Sequence, residues 1–371
     1  MGFSWGPSWQ DSAQIPSRTA GEVRGERAGH GVWSVRERPG VMGVSSPTVF
    51  RVSRTEVTPT SRPARAAVAS RTGIALGVLT AVLAGAGVWF TWRVFVATAE
   101  GQRVDQAAMD GAQFGRTRLW QIAEPVLEVV SIPALGLVLV AAMTLAVLRR
   151  RWMLALQIAV LVVGANLSTQ LLKYLVLDRP DLGVTYHLPN ALPSGHTTAA
   201  ASVAVAAILV VPPRVRPYAT VVGAAYAGLT GVSTLIGQWH RPSDVVAGLL
   251  VVLAWCGVAT AMSALGRRSQ PRSGGARRDG DRERDRVPTR RFSTASVVVV
   301  TGGYLLAVIS GAAAWTALEE TRKADVLDGR AELLTAYVGG ALGVLATTGF
   351  VFATVLVLRV MARPRPTAPA A

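Results

Sequence analysis

Long apolar runs alternate with short polar joints along this chain, and the alternation sets the first expectation. Runs long enough to cross a bilayer, about 20 residues each, fall near Gly73–Val96, Val126–Leu148, Met153–Leu175, Thr197–Val211, Tyr218–Ile236, Val245–Leu265, Ala295–Ala317 and Leu333–Leu358. The fourth is the shortest. Together they predict an all-α fold: a polytopic membrane helical bundle, with a six-helix core and two additional C-terminal transmembrane helices.

The polar stretches divide the chain into five parts. Residues 1–71 are rich in Ser, Pro, Gly and Arg, carry ten arginines against five acids, and show no sustained apolar period. They read as a disordered basic cytoplasmic tail. No apolar core marks a signal peptide there, and Met42 stands beside Met1 as a candidate start. Residues 72–266 hold the six-span core, 267–293 a basic cytoplasmic linker, 294–360 a two-span membrane segment, and 361–371 a short tail. The two-span segment shows no chemistry of its own.

Charge then gives orientation. Of 371 residues half are hydrophobic, and the net charge is +16. The basic residues sit before the first run, at Arg149-Arg150-Arg151, at Arg214 and Arg216, in the linker, and at Arg359, Arg363 and Arg365. The intervening loops, Glu100 to Glu128 and Glu319 to Glu332, are mixed or acidic. By the positive-inside rule both termini are cytoplasmic in the plasma (inner) membrane, and the opposite loops face out. That distribution also speaks against nucleic acid as a partner, since no aromatic-basic module accompanies the charge. The spans carry few polar side chains away from the candidate site, which weighs against a transporter. A single cysteine, Cys256, lies within an apolar run, so neither a disulfide framework nor a cysteine zinc site is expected. It reads as a small buried hydrophobe.

Candidate chemistry gathers at the outward ends of the runs. Pro193-Ser194-Gly195-His196 directly precedes an apolar helix, so Ser194 is a candidate N-cap. Gly195 lets backbone approach an anion, and the helix N-terminus favours phosphate. His196 can donate a proton near neutral pH. The same four residues also suit an ordinary helix cap. Farther on, Asp244 lies four residues after His240 and can accept from one imidazole nitrogen, leaving the other as nucleophile or base. A capping aspartate beside an interfacial histidine is the plainer alternative. Lys173, one of only two lysines among 38 basic residues, precedes Arg179-Pro180 at the end of the third run. Lysine offers a point charge and arginine a planar fork for phosphate oxygens; two interfacial anchors would look the same. Trp239 reads as an interfacial anchor or as a side chain shaping lipid access, and His187 as a solvated loop residue or one lining the entrance.

Taken together, these three motifs resemble the type 2 phosphatidic acid phosphatase (PAP2) superfamily, and in particular bacterial membrane lipid phosphatases. The family pattern is a lysine followed by Arg-Pro, then Pro-Ser-Gly-His, then Ser-Arg, five residues, His, three residues and Asp. Here the matching positions are Lys173 with Arg179-Pro180, Pro193 to His196, and Ser233-Thr234 with His240 and Asp244. The resemblance spans roughly residues 73 to 265. It implies a membrane lipid phosphatase working at the outer face, with His240 as nucleophile through a phosphohistidine, Asp244 orienting it and His196 protonating the leaving group. Lys173, Arg179, Ser194 and Gly195 would bind the phosphoryl oxygens. It implies no metal and no cofactor. The partners are a lipid phosphate substrate and the bilayer, and the oligomeric state stays open. Polyprenyl diphosphate, phosphatidic acid and phosphatidylglycerophosphate are the candidate substrates. The alternative is a non-catalytic relative that binds phospholipid or a partner protein.

Two departures from the pattern matter. Five residues separate Lys173 from Arg179, where the family has six, and Thr234 replaces an arginine. Losing one cationic donor to a transferring phosphoryl group would cost on the order of 2–4 kcal/mol. Arg241 is the candidate replacement.

Overall fold

Each apolar run but one winds into a single helix near its expected place. The computed structural model describes residues 62–129, 132–184, 189–266 and 292–361. The expected tail up to residue 61, His187 and the linker from 267 to 291 lie outside the described residues. Ten α-helices occur among those described, and no strand: α1 Arg62–Phe95, α2 Ala99–Gly111, α3 Arg116–Val129, α4 Ile132–Leu148, α5 Trp152–Leu171, α6 Gly195–Val210, α7 Arg216–Ile236, α8 Pro242–Gly266, α9 Thr294–Lys323 and α10 Arg330–Met361. Six are long and apolar enough to cross a membrane (α1, α5 with its terminal turn, α7, α8, α9 and α10), while α4 and α6 offer shorter apolar stretches. The chain is a multi-pass membrane protein with an all-α fold.

The exception is the expected span Val126–Leu148, which is split between α3 and α4. Glu124 and Glu128 keep α3 polar, and Pro133 takes the second position of α4, where a missing N–H costs nothing. A second difference lies just before it. The segment after the first span was expected as a loop, yet Ala99–Gly111 forms α2. Thr98 starts it by accepting the Gly101 N–H at 3.1 Å.

Helix α6 is short because lipid hardly touches it. It packs against α4, α5, α7 and α8, and Ala200, Ala201, Val205 and Ile208 are fully buried. A helix walled by protein has no need of bilayer length. Helices α1 and α8 meet backbone to backbone. A Cβ on Gly77 would lie 2.6 Å from the Gly257 carbonyl oxygen, and one on Gly257 would lie 2.5 Å from that of Gly77. Small residues at such crossings let dispersion and close approach hold helices together where no hydrophobic effect acts between them.

Helix α10 is part of the same core: Val344, Val351, Phe352 and Val355 join the buried cluster to which α1 and α4 to α8 contribute. Helix α9 packs on α10 and turns Val298, Leu305, Val308 and Ile309 outward. Those exposed apolar side chains suit a lipid environment.

Candidate active site

The expected site residues come from four elements whose ends meet at one end of the bundle. The last turn of α5 is π-wound: the Leu177 N–H donates to the Leu172 carbonyl, five residues back, at 2.9 Å. Leu177 then turns extended. The one-residue slip between Lys173 and Arg179 falls where the helix changes pitch and ends, which is where a change of spacing disturbs the fewest backbone bonds. Asn190 fastens this exit to the next motif, its amide donating to the carbonyls of Lys173, Leu177 and Leu192 at 3.2, 2.7 and 3.1 Å. Arg179 is flanked by two anchored carbonyls. Trp92 donates to that of Asp178 at 2.8 Å, and Gln102 to that of Pro180 at 2.9 Å.

Ser194 is the N-cap of α6, as its position suggested. Its hydroxyl oxygen accepts from the Thr197 N–H at 3.4 Å and from the Thr197 hydroxyl at 3.1 Å. Its own N–H donates to the Asp244 carbonyl at 2.8 Å, which ties the second motif to the third. Gly195 stands open, with only the Gln170 amide nitrogen near a notional Cβ, at 3.9 Å. The first amides of α6 have no carbonyl four residues back, so this end attracts anions.

His240 follows the end of α7 and is nearly buried. Its Nδ1 lies 3.3 Å from Asp244 Oδ2. With that proton donated to the carboxylate, Nε2 carries the free lone pair. Asp244 also accepts the Arg241 N–H at 3.0 Å, the reciprocal half of a helix-start cap. The His196 and His240 rings lie 6.0 Å apart, centroid to centroid, and His196 lies 5.5 Å from Trp239. A single phosphoryl group can bridge such a gap with ordinary hydrogen-bond lengths.

Lys173, Gly195, His196 and His240 line one cleft of about 760 Å³. Arg179, Ser194, Asp244 and Arg241 are not among the residues that line it. Arg179 is half-buried, and burial and the nearby Arg241 press its guanidinium below the usual value, opposed by Asp105 and Asp244. Arg241 does not turn into the cleft: it is 3% exposed, and its Nε and one terminal nitrogen donate to Gln106 Oε1 at 3.0 and 2.9 Å. Thr234, at the position of the family's arginine, is fully buried and donates to the Gly231 carbonyl of its own helix at 2.7 Å.

The cleft also holds residues that sequence reasoning passed over. Helix α3 supplies Trp120, Glu124, Leu127 and Glu128, and α5 supplies Asn166, Gln170 and Tyr174. Both sets were visible as spacing. Positions 120, 124, 127 and 128 share one helical face, and 166, 170 and 173 form a polar stripe on an apolar helix. Trp239 lines the cleft as well, edge-on to Trp120 at 5.9 Å. Among the described residues, no group of three or more His, Cys, Asp or Glu is placed to hold a metal ion.

Comparison with known proteins agrees with the motif resemblance. The family model of the PAP2 superfamily matches residues 134–268, from the start of α4 past the end of α8, and so leaves out α1 to α3 as well as α9 and α10. No curated protein matches the chain, and no solved structure does.

Proposed function

From the PAP2 superfamily segment at residues 134–268, we propose that this protein is a membrane lipid phosphatase that works through a phosphohistidine. One observation carries the reading. His196 and His240 face each other across 6.0 Å, with Lys173 lining the same cleft and Asp244 backing His240. In the first step Nε2 of His240 attacks phosphorus. The N–P bond forms as the bond from phosphorus to the lipid oxygen breaks, and His196 gives that oxygen a proton. In the second step His196 takes a proton from water as the water oxygen attacks phosphorus, and the N–P bond breaks to restore His240. Asp244 holds the Nδ1 proton throughout and offsets the ring's positive charge. Lys173, Gly195 and the amides at the start of α6 meet the phosphoryl oxygens, with Ser194 shaping that helix start. Arg179, within electrostatic reach of Asp244, adds positive charge to the site.

The substrate class is a lipid monophosphate or diphosphate, since the cleft opens at the end of an apolar bundle. Polyprenyl diphosphate is favoured over phosphatidic acid and phosphatidylglycerophosphate, because an outward-facing site suits recycling of a lipid carrier. The positive-inside pattern supports both termini in the cytoplasm and the cleft outside, and recycling of a lipid carrier suits the plasma (inner) membrane.

Phosphate release from a panel of lipid monophosphates and diphosphates by the purified protein tests this. Wild type should turn over at least one lipid, an acid-labile phosphoryl label should appear on the protein during turnover, and His240→Ala should remove both. Thr234 supports a second reading, a non-catalytic phospholipid-binding relative, because its hydroxyl is spent on the Gly231 carbonyl where the family has an arginine. Equal phosphate release by wild type and His240→Ala across the panel, with lipid binding retained, would favour it.

A further inference from the structure

Among the described residues only two carboxylic acids are buried, Asp244 and Asp105, each 2% exposed. The first has its evident partner in His240. The second stands on α2, outside both the cleft and the family-matched segment, and an isolated buried carboxylate is costly unless something holds it. What holds it is Ser243, 138 residues away. Asp105 Oδ1 accepts the Ser243 N–H at 3.1 Å, and Oδ2 accepts the Ser243 hydroxyl at 2.5 Å. That N–H belongs to the first turn of α8 and has no intrahelical partner, so a side chain from another helix satisfies it. The neighbouring Gln106 accepts twice from Arg241. Consecutive residues of α2 thus grip the two residues that flank Pro242, within the five-residue stretch His240 to Asp244.

Helix α2 is itself braced from behind. Arg103 donates to the carbonyls of Ala324 and Arg322 at 2.7 and 3.0 Å, and Ala107 and Ala108 pack with Leu333 and Ala336 of α10. Helix α10 also presses on the same stretch directly: a Cβ on Gly340 would lie 2.4 Å from Pro242 Cγ. The two-span segment in which the sequence shows no chemistry therefore supports Pro242, two residues before Asp244.

We propose that Asp105 is a positioning residue of the phosphoryl-transfer site, fixing the start of α8 through Ser243 so that Asp244 stays on Nδ1 of His240. The inference rests on the phosphatase reading and assigns no contact between Asp105 and substrate. The charged groups facing Asp105 are Asp244 on α8, Arg241 before it and Arg179 after α5. Burial first, and Asp244 second, push the Asp105 carboxyl up to about 7, while the Ser243 hydroxyl and Arg241 pull it down. The ionised form is the one that accepts both Ser243 bonds without turning the hydroxyl round.

The test compares wild type, Asp105→Ala, Asp105→Asn and Ser243→Ala in lipid nanodiscs, reading kcat, KM, the pH profile and orthovanadate affinity. In Asp105→Ala, kcat should fall about 10–100-fold, the scale of a small misplacement of reacting groups, with KM little changed and vanadate bound more weakly. An asparagine can still accept the Ser243 N–H and donate to its hydroxyl oxygen. Asp105→Asn should therefore keep most of kcat and of the vanadate affinity, and since the protonated acid can hold Ser243 in the same way, the acid limb of the profile should stay where it is. A purely structural role would lower stability while leaving the kcat and vanadate affinity of the folded variants at wild-type values. A folded Asp105→Ala with wild-type kcat, vanadate affinity and profile overturns the proposal, as does an asparagine variant no better than alanine. Should the alanine variant fail to fold, wild-type kcat and vanadate affinity in Ser243→Ala overturn it equally. A wild type that turns over no lipid sinks the phosphatase reading instead; the vanadate series then decides Asp105, unchanged affinity in its variants overturning the assignment.

Discussion

Asp244→Asn would keep the shape of the carboxylate beside His240 while removing its charge, so the imidazole loses the partner that fixes its tautomer. Turnover should fall by about 10²–10⁴-fold with the fold intact, as phosphate-release kinetics and a melting curve would show. His196 makes a finer prediction. Its proton matters more when the leaving group is an alkoxide than when it is a phosphate, so His196→Ala should slow a lipid monophosphate by about 10²–10⁴-fold and a lipid diphosphate much less. A matched pair of substrates with one chain length decides this, and equal losses would remove His196 from the acid's role. Asp105 links pH to stability as well. Its folded carboxyl is raised from 3.8 to about 7, so the folded state binds that proton more tightly than the unfolded chain. Its contribution is present at low pH and is lost as pH rises from about 4 to about 7. The stability of wild type relative to Asp105→Asn should fall across that window by a few kcal/mol at most, about 1.4 kcal/mol per unit of difference. Thermal or denaturant titration at pH 5 and pH 8 reads the sign. Of these residues His196, His240 and Asp244 were legible in the chain because one short motif holds each. Asp105 was not, since nothing within its own stretch hints at Ser243.

The runs of apolar residues located α1 and α5 to α10 well, because helix formation in lipid satisfies backbone groups locally and needs no knowledge of neighbours. The same reasoning failed for α2, where mean polarity suggested a loop. A polar helix was stabilised there by Thr98 at its start and by partners far off in the chain. It failed again between α3 and α4, where one apolar count hid Pro133 and two glutamates. The α1–α8 crossing gives a test of packing at this level. Gly257→Ala sets a methyl group against the Gly77 carbonyl and should cost about 1–3 kcal/mol, lowering the melting temperature in detergent. Gly85→Ala on the same α1, where a Cβ meets nothing within 4 Å, should leave it unchanged. Equal effects would mean that α1 and α8 do not meet as described.

For the whole molecule the checkable statement is sidedness. The cleft, α2 and the turn between α9 and α10 share one end of the bundle, joined by the bonds from Arg103 and by the ion pair of Arg322 with Glu100 at 2.8 Å. Arg149 to Arg151 follow the far end of α4. If the proposed orientation holds, a cysteine replacing Asp325 should react with an impermeant maleimide on intact cells. One replacing Arg149 should react only after permeabilisation, with the buried native Cys256 silent. The reverse pattern would turn the site toward the cytoplasm and remove the argument for an outward-facing carrier lipid.

By itself the sequence determined the membrane class, the long apolar helices and the motif residues that gather at the cleft, since each depends on neighbours within a turn or a run. Only the tertiary structure decided which polar groups meet. It turned Arg241 to Gln106 instead of the cleft, set α3 as the facing wall, and made the C-terminal pair a support for Pro242. The physical reason is distance along the chain. The partners of Arg241 and Ser243 lie 135 and 138 residues away, and nothing in local propensity or hydrophobic period records a contact made across that separation.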